Sequence, residues 1–394
     1  MPRVLLIKLT SLGDLIHALP ALSDAQDARP GIEFDWVIDE NFQQIARLAS
    51  RGEERHHHQS PRMARLSHRA PQTHGSISKT IGEIRAREYD LVIDGQGNFK
   101  TGLLSLFSKG RARASTAASV REWVAHLAYQ RRYAASKNAH AIERLRRLFA
   151  AALGYALPDS APDFRIQRER FVEAQGRSAR TSYLVFIHNA SWKTKLWPER
   201  HWADLIGKCV QAGFRMVLPW GNSPGRSAGE APRRPARGAG PAAGSSLSEI
   251  GYVIAKAKAC VCMDTGLSHL AAALDVPAVT LYGSTDSGLI GASGASQVHL
   301  KSDRFCSPCQ SKTCRYSSGD NPCLERDRAG QRLRRAAAPH RPGAQAGPSL
   351  TGIRLGPKGF VNSSKRPGMA AFRTPALPVG RDAGSRGSGT SRAR

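Results

Sequence analysis

The sequence lacks any apolar run of the roughly 18 residues that a membrane-spanning helix needs. It shows no self-similarity at a solenoid period, which argues against a repeat array. It also lacks a convincing export signal. The opening run Val4-Leu5-Leu6-Ile7 is short, and Lys8 and Asp14 interrupt the stretch after it, so it reads as a buried first strand. The seven cysteines are therefore expected to be reduced thiols in a cytosol. Acid is scarce, with 31 Asp and Glu against 58 Lys and Arg, a net charge of +27.

That charge is unevenly placed. Residues 326–394 carry 15 Lys and Arg against Asp327 and Asp382. Together with 50–75, 109–118 and 224–246, this tail holds +22 of the +27. These segments have no hydrophobic periodicity. A stretch such as Gly229-Glu230-Ala231-Pro232-Arg233-Arg234 can bury almost nothing and is expected to be disordered. Ordered patterning stops and resumes abruptly at their edges, as out-of-frame translation of a GC-rich gene would produce. A basic nucleic-acid-binding protein is the non-enzyme alternative. It calls for basic residues interleaved with aromatics on ordered elements, a pattern these segments do not have, so no nucleic-acid partner is expected.

What is present is length and alternation. A chain of 394 residues, 41% hydrophobic, is enough for two packed domains. Val4–Ile7 reads as a strand, 14–28 as a helix, Phe34–Ile38 as a strand and 41–48 as a helix. Next come a helix over 77–87, the strand Asp90–Asp94, a helix from about 100, and long helices over 120–132 and 140–153. A second unit starts with the strand Tyr183–Ile187. It continues with helix 199–212, strand Arg215–Pro219, helix 247–257, strand Ala259–Met263, helix 267–274 and strand Ala278–Tyr282. The expected fold is α/β, two Rossmann-like doubly wound domains facing a central cleft. The domains are expected at 1–165 (49–75 and 109–118 irregular) and 180–324 (224–246 irregular), with 325–394 a disordered basic tail. Ligands in such folds sit at the carboxyl ends of the strands.

The candidate chemistry lies at those ends. After the first strand come Thr10-Ser11-Leu12-Gly13-Asp14, where Gly13 permits a tight turn. Asp14 either caps the next helix or serves as a general base. Met263-Asp264-Thr265-Gly266-Leu267-Ser268-His269 runs from a strand end through a polar turn into a helix, whose free N–H groups suit a diphosphate. Tyr282-Gly283-Ser284-Thr285-Asp286 repeats the pattern. His188-Asn189-Ala190-Ser191 and Lys195 come after another strand end, and Ser191 and Lys195 are candidates for phosphate oxygens and leaving-group charge. Cys306, Cys309, Cys314 and Cys323 have the spacing C-x2-C-x4-C-x8-C, readable as a zinc set or as plain thiols. His56-His57-His58 lies in one of the irregular segments and is discounted. Gly95-Gln96-Gly97 is too short for a dinucleotide fingerprint.

Several motifs in order carry a resemblance: Lys8 to His17, Asp94-Gly95-Gln96-Gly97, Trp197-Pro198-Glu199-Arg200-His201-Trp202, Leu218-Pro219-Trp220-Gly221 and Asp264 to His269. Together they resemble the lipopolysaccharide heptosyltransferase I family, within the ninth glycosyltransferase family and its B-type (GT-B) fold. The resemblance covers most of 1–48, 76–108, 119–223 and 247–324. It implies an ADP-heptose donor, a Kdo2-lipid A acceptor, and inverting transfer that needs no metal or other cofactor. It implies Asp14 as catalytic base. Ser191, Lys195, Asp264, Thr265, Gly266, Leu267 and His269 would face the donor. Thr10, Ser11, Gly13, Gln96, His140 and Arg144, with Glu143 beside them, would lie on the acceptor side. It further implies a cytoplasmic protein peripheral to the inner membrane. Three stretches depart from the family pattern: the basic acceptor loop near 55–65, the acidic contacts expected after Gly221, and the final helix after about 324. Heptosyltransferase II or another core heptosyltransferase is the alternative within the class, and a sugar-nucleotide epimerase shares the architecture.

Overall fold

The computed structural model describes residues 2–48, 65–66, 74–116, 127–166, 168, 183–219, 246–317 and 322–325. Expectations for the irregular stretch before 65, for 224–245, for His56-His57-His58, for Trp220-Gly221 and for the tail beyond 325 lie outside the described residues.

The first half contains β1 (Arg3–Ile7), α1 (Leu12–Ile16), α2 (Leu19–Ala28), β2 (Glu33–Asp39), α3 (Gln43–Leu48), β3 (Arg65–Leu66) and α4 (His74–Arg85). It continues with β4 (Glu88–Tyr89), β5 (Leu91–Asp94), α5 (Phe99–Phe107), β6 (Lys109–Gly110), β7 (Arg113–Thr116), β8 (Arg131–Tyr133) and α6 (Ala141–Leu153). Six strands form a parallel sheet in the order β3-β2-β1-β5-β7-β8, and β4 and β6 form a small parallel pair. Val4, Leu5, Leu6 and Ile7 are wholly buried, as expected for a central strand with neighbours on both sides and helices over both faces.

The second half contains β9 (Tyr183–Ile187), α7 (Glu199–Gln211), β10 (Arg215–Val217), α8 (Leu247–Lys256), β11 (Ala259–Met263), α9 (Gly266–Ala273), β12 (Ala278–Tyr282), α10 (Ser287–Ile290), β13 (Gln297–Lys301) and α11 (Pro322–Glu325). Its sheet is parallel throughout, in the order β10-β9-β11-β12-β13. Both sheets are doubly wound, because the order reverses direction at β1 and β9, which leaves a crevice at the carboxyl ends there.

Three sequence expectations are corrected and one strand is added. The helix expected over 14–28 is two helices, since Pro20 has no N–H to continue the first and instead sits in the opening turn of the second. Within 109–118, expected to be irregular, Arg113–Thr116 is a strand with Ala114 and Ser115 buried. Of the helix expected over 120–132, residues 120–126 lie outside the described residues, and Arg131 and Arg132 open the strand Arg131–Tyr133 paired with β7. Edge pairing there overrides helix propensity. The strand Gln297–Lys301, which the sequence pattern did not reveal, completes the second sheet beside β12.

Tertiary polar contacts fix the helices. Arg146 Nε donates to Asp24 Oδ2 at 2.6 Å, with both side chains under 10% exposed, so α2 and α6 share a buried ion pair. One apolar core includes residues of both halves, from Val4 and Leu15 to Ile254 and Leu270. Ser248 N and Oγ both donate to Gln44 Oε1, at 2.9 and 3.2 Å, which adds a polar link between α3 and α8.

Candidate active site

The N-terminus of α1 meets the N-terminus of α9. A Cβ placed on Gly13 would lie 2.6 Å from His269 Cδ2, and one placed on Gly266 would lie 2.6 Å from Leu12 Cβ. Each helix therefore offers a glycine to the other helix's side chain. The close approach places Asp14, at the end of the β1 loop, beside the polar turn after β11.

Asp14 sits in the first turn of α1, where its Oδ2 accepts from Ser11 N at 2.9 Å and Ser11 Oγ at 3.1 Å. Burial pushes its carboxyl up. The charge of Lys8, the two Ser11 hydrogen bonds and His269 outweigh burial and hold the carboxyl below the ordinary Asp value. Asp14 thus caps its helix turn and remains an ionised proton acceptor at neutral pH, so its two sequence readings are compatible. Lys8, buried at the end of the strand, donates to Gly95 O at 3.0 Å.

Across the crevice, Lys195 Nζ is 2.8 Å from Asp264 Oδ2, and Thr285 Oγ1 donates to the same oxygen at 2.5 Å. Asp264 is 3% exposed, so this pair is shielded from water. Lys195 closes the 3-10 turn of residues 193–195 and lies over the Trp192 ring at 4.7 Å. Thr265 precedes α9, and Ser268 Oγ donates back to Thr265 O at 2.6 Å. A helix start leaves N–H groups without helical partners, and here Ser268 N is taken by Thr265 O at 3.0 Å. Leu267 is half-buried against the core. Ser191 is exposed on the loop after β9.

The histidines connect the two sides. His269 Nε2 lies 3.9 Å from Asp264 Oδ1, and its Nδ1 lies 3.1 Å from His17 Nε2. Burial lowers the His269 pKa to about 4, against the pull of Asp264 and Asp14, so the ring is neutral at pH 7. His17 is lowered well below its ordinary value, chiefly by burial and then by His269, His140 and Lys8. His140 packs edge-on to His17 at 5.3 Å between centroids. Its Nδ1 accepts from Ile142 N at 3.2 Å, so its Nε2 carries the proton and donates to Gly291 O at 3.0 Å. Arg144, one turn along α6, donates to Lys137 O at 3.2 Å.

Gln96 Oε1 accepts from Leu9 N at 3.2 Å, which brings the β5 loop against the β1 loop that carries Thr10 and Ser11. Asp94 Oδ1 holds that loop through Gln96 N and Gly97 N, at 2.8 and 2.9 Å. The structure therefore gathers Thr10, Ser11, Gly13, Asp14, Gln96, His140, Lys195, Asp264, Thr265, Gly266 and His269 around one crevice. Lys8 and His17 are polar residues of this site that sequence reasoning quoted only as part of a motif. A charged residue closing a buried strand was the available signal for Lys8. Cys306, Cys309, Cys314 and Cys323 are free thiols, and burial and the three other sulfurs push the Cys323 thiol up. Among the described residues, no three His, Cys, Asp or Glu side chains are grouped to hold a metal ion.

The glycosyltransferase family 9 (heptosyltransferase) model matches residues 77–318. Lipopolysaccharide heptosyltransferase 1 of Pseudomonas aeruginosa is 42% identical over 328 residues, covering 80% of this chain and 88% of that protein. Lipopolysaccharide heptosyltransferase 2 of Salmonella typhimurium is 36% identical over only 95 residues, 23% of this chain and 27% of that protein. Among solved structures, E. coli heptosyltransferase WaaC with ADP aligns with a TM-score of 0.66 at 32% identity, covering 84% of this chain and 99% of that one. The same enzyme with ADP-2-deoxy-2-fluoro heptose aligns with a TM-score of 0.64 over 85% of this chain and 100% of that one.

Proposed function

Because this chain belongs to glycosyltransferase family 9, the heptosyltransferases, we propose that it moves L-glycero-D-manno-heptose from ADP-heptose to Kdo2-lipid A in the inner core of lipopolysaccharide. The observation that carries the reading is the meeting of an ionised Asp14 with the α9 N-terminus and the Lys195–Asp264 pair. Similarity to heptosyltransferase 1 over 80% of this chain, against 23% for heptosyltransferase 2, favours the first type.

The chemistry is one displacement. Asp14 accepts the proton of the acceptor hydroxyl as its oxygen attacks the anomeric carbon from the face opposite the diphosphate. The bond from that carbon to the β-phosphate oxygen breaks, ADP departs and the configuration inverts. Negative charge grows on the leaving diphosphate. In this reading the N–H groups at the start of α9 and the Lys195 ammonium, 2.8 Å from Asp264 Oδ2, stabilise it. Neutral His269, Thr265 and Leu267 shape the donor side, with Ser191 at the rim. Thr10, Ser11, Gly13, Gln96, His140 and Arg144 form the acceptor side. The first sheet's half (1–165) is the acceptor domain and the second's (180–324) the donor domain.

No helix among the described residues is long and apolar enough to cross a membrane. A lipid A acceptor supports reading the protein as peripheral, on the cytoplasmic face of the inner membrane.

The deciding experiment measures heptose transfer from ADP-heptose to Kdo2-lipid A by this chain and by Asp14→Ala. Transfer that the substitution abolishes, while ADP binding survives, supports donor, acceptor and base together. A folded chain that binds ADP but transfers to no Kdo-bearing acceptor would refute the acceptor assignment.

A further inference from the structure

Eight large apolar side chains stand exposed among the described residues, and four of them lie on the nine-residue helix α5. Phe99, Leu103, Leu106 and Phe107 are 40–49% exposed and recur at helical spacing, so they line one stripe. The opposite face is fixed. Thr101 and Ser105 are buried, and Leu104 packs with Leu5, Ile7 and Val92 under the first sheet. The stripe is therefore not a core face awaiting its own sheet.

The charges around it have one dominant sign. From Gly95 to Thr116 there is no Asp or Glu, while Lys100, Lys109, Arg111 and Arg113 are present. Arg113 donates to Ser105 O at 2.7 Å and Ser108 O at 3.1 Å, placing a cation on the last carbonyls of α5. Two rim acids offset part of this: Asp90 pairs with Arg111 at 3.7 Å, and Glu88 lies in register with Lys109. An apolar stripe with a cationic surround is the composition that seats a helix in an anionic lipid interface.

Position supports the same occupant. Gln96, on the loop before α5, accepts from Leu9 N at 3.2 Å, and Phe99 opens α5 three residues later. The stripe therefore starts beside the residue assigned above to the acceptor side and extends about 12 Å along α5. We propose that the exposed face of α5 rests on an anionic bilayer, burying Leu103, Leu106 and Phe107 at the level of the headgroups and presenting the crevice to a lipid-borne acceptor. The proposal rests on the acceptor being a lipid, as proposed above, and it adds the surface that docks.

The test uses the full chain. Binding to mixed phosphatidylcholine and phosphatidylglycerol vesicles is compared between wild type and a triple variant, Leu103→Ser with Leu106→Gln and Phe107→Ser. Comparison at low and high salt separates the apolar contribution of the stripe from the charge contribution that Lys100, Lys109, Arg111 and Arg113 share with other basic segments of the chain. Vesicle affinity should fall about ten-fold or more in the variant. Transfer to a soluble Kdo acceptor without acyl chains should stay within about two-fold, because none of the three side chains lies in the site. Brominated lipids should quench the emission of a separate Leu106→Trp variant more than that of wild type, whose six tryptophans set the background. Equal vesicle binding by wild type and triple variant, or no extra quenching in Leu106→Trp, would overturn the proposal. So would a wild-type dimer that the triple variant dissolves without change in vesicle binding, which would make α5 a self-association face. If the soluble acceptor receives no heptose even from wild type, it is the functional reading that fails, while the vesicle comparison still decides the surface.

Discussion

His17 Nε2 and His269 Nδ1 lie 3.1 Å apart, a buried contact between the helix that carries Asp14 and the helix that faces the donor. Between two neutral rings one nitrogen donates to the other, and the direction of that donation sets whether His269 Nε2, 3.9 Å from Asp264 Oδ1, carries a proton. His17→Phe keeps an aromatic ring but removes that contact. Transfer should slow by about ten-fold while the melting temperature holds, and His17→Gln should recover most of the loss by returning a side-chain nitrogen near the Nε2 position. Equal rates in wild type and His17→Phe would mean the pair only packs.

Asp14→Asn keeps shape but cannot take a proton. Transfer should fall by about 10²–10⁴-fold, with ADP affinity measured by calorimetry changed little. Because Lys8, Ser11 and His269 hold the wild-type carboxyl below its ordinary range, the acid limb of kcat/KM should contain no step from Asp14 above about pH 4. An Asp14-dependent limb near neutrality would contradict the ionised-base reading.

Lys195 and Asp264 form a shielded pair, so removing one partner strands the other. Lys195→Met and Asp264→Asn should each weaken ADP-heptose binding by about ten-fold or more and lower the melting temperature. The double variant should lose less than the sum of the singles. Strict additivity in a double-mutant cycle would show that the two groups act separately.

Gly13→Ala and Gly266→Ala should each destabilise by about 1–3 kcal/mol, because the new methyl meets a packed neighbour at 2.6 Å. Gly207→Ala is the control. Gly207 lies inside α7 with nothing within 4 Å of a new Cβ, and the substitution should be neutral or stabilising by up to about 1 kcal/mol. Urea denaturation of the three variants would show whether the order holds.

Stability should rise with pH through the histidine range. His17 and His269 titrate lower folded than unfolded, His269 at about 4 against an ordinary 6.5, so across that window the unfolded chain binds more protons. Asp14 acts with the same sign at lower pH, since its folded value is also depressed. The melting temperature should fall between pH 7 and pH 4.5, and His269→Gln should flatten the slope. A slope unchanged by the substitution would place the titration elsewhere.

Much of the fold was legible because parallel strands buried on both faces are short unbroken apolar runs. Tyr183–Ile187, Ala259–Met263 and Ala278–Tyr282 form strands with the bounds their sequence suggests. Arg131–Tyr133 was not legible, because two exposed arginines leave no apolar signal and only pairing with β7 makes the segment a strand. In the site, Asp14 and the Asp264–His269 run were visible as polar residues breaking a strand end. The pairing of Lys195 with Asp264 was not, since 69 residues separate them and only the packing of the second sheet brings them together. The same holds for His17, whose partner lies 252 residues away.

The interlocked glycines set a condition on recombination between relatives. Gly13 receives His269 from the second half, and Gly266 receives Leu12 from the first. A chimera that joins this chain's first half to another member's second half inherits one side of each contact. Such hybrids should work where the incoming half brings a glycine opposite Leu12 and a ring that fits Gly13, and they should fail to close where it does not. The two halves are therefore exchangeable only as a matched pair, even though each carries its own sheet.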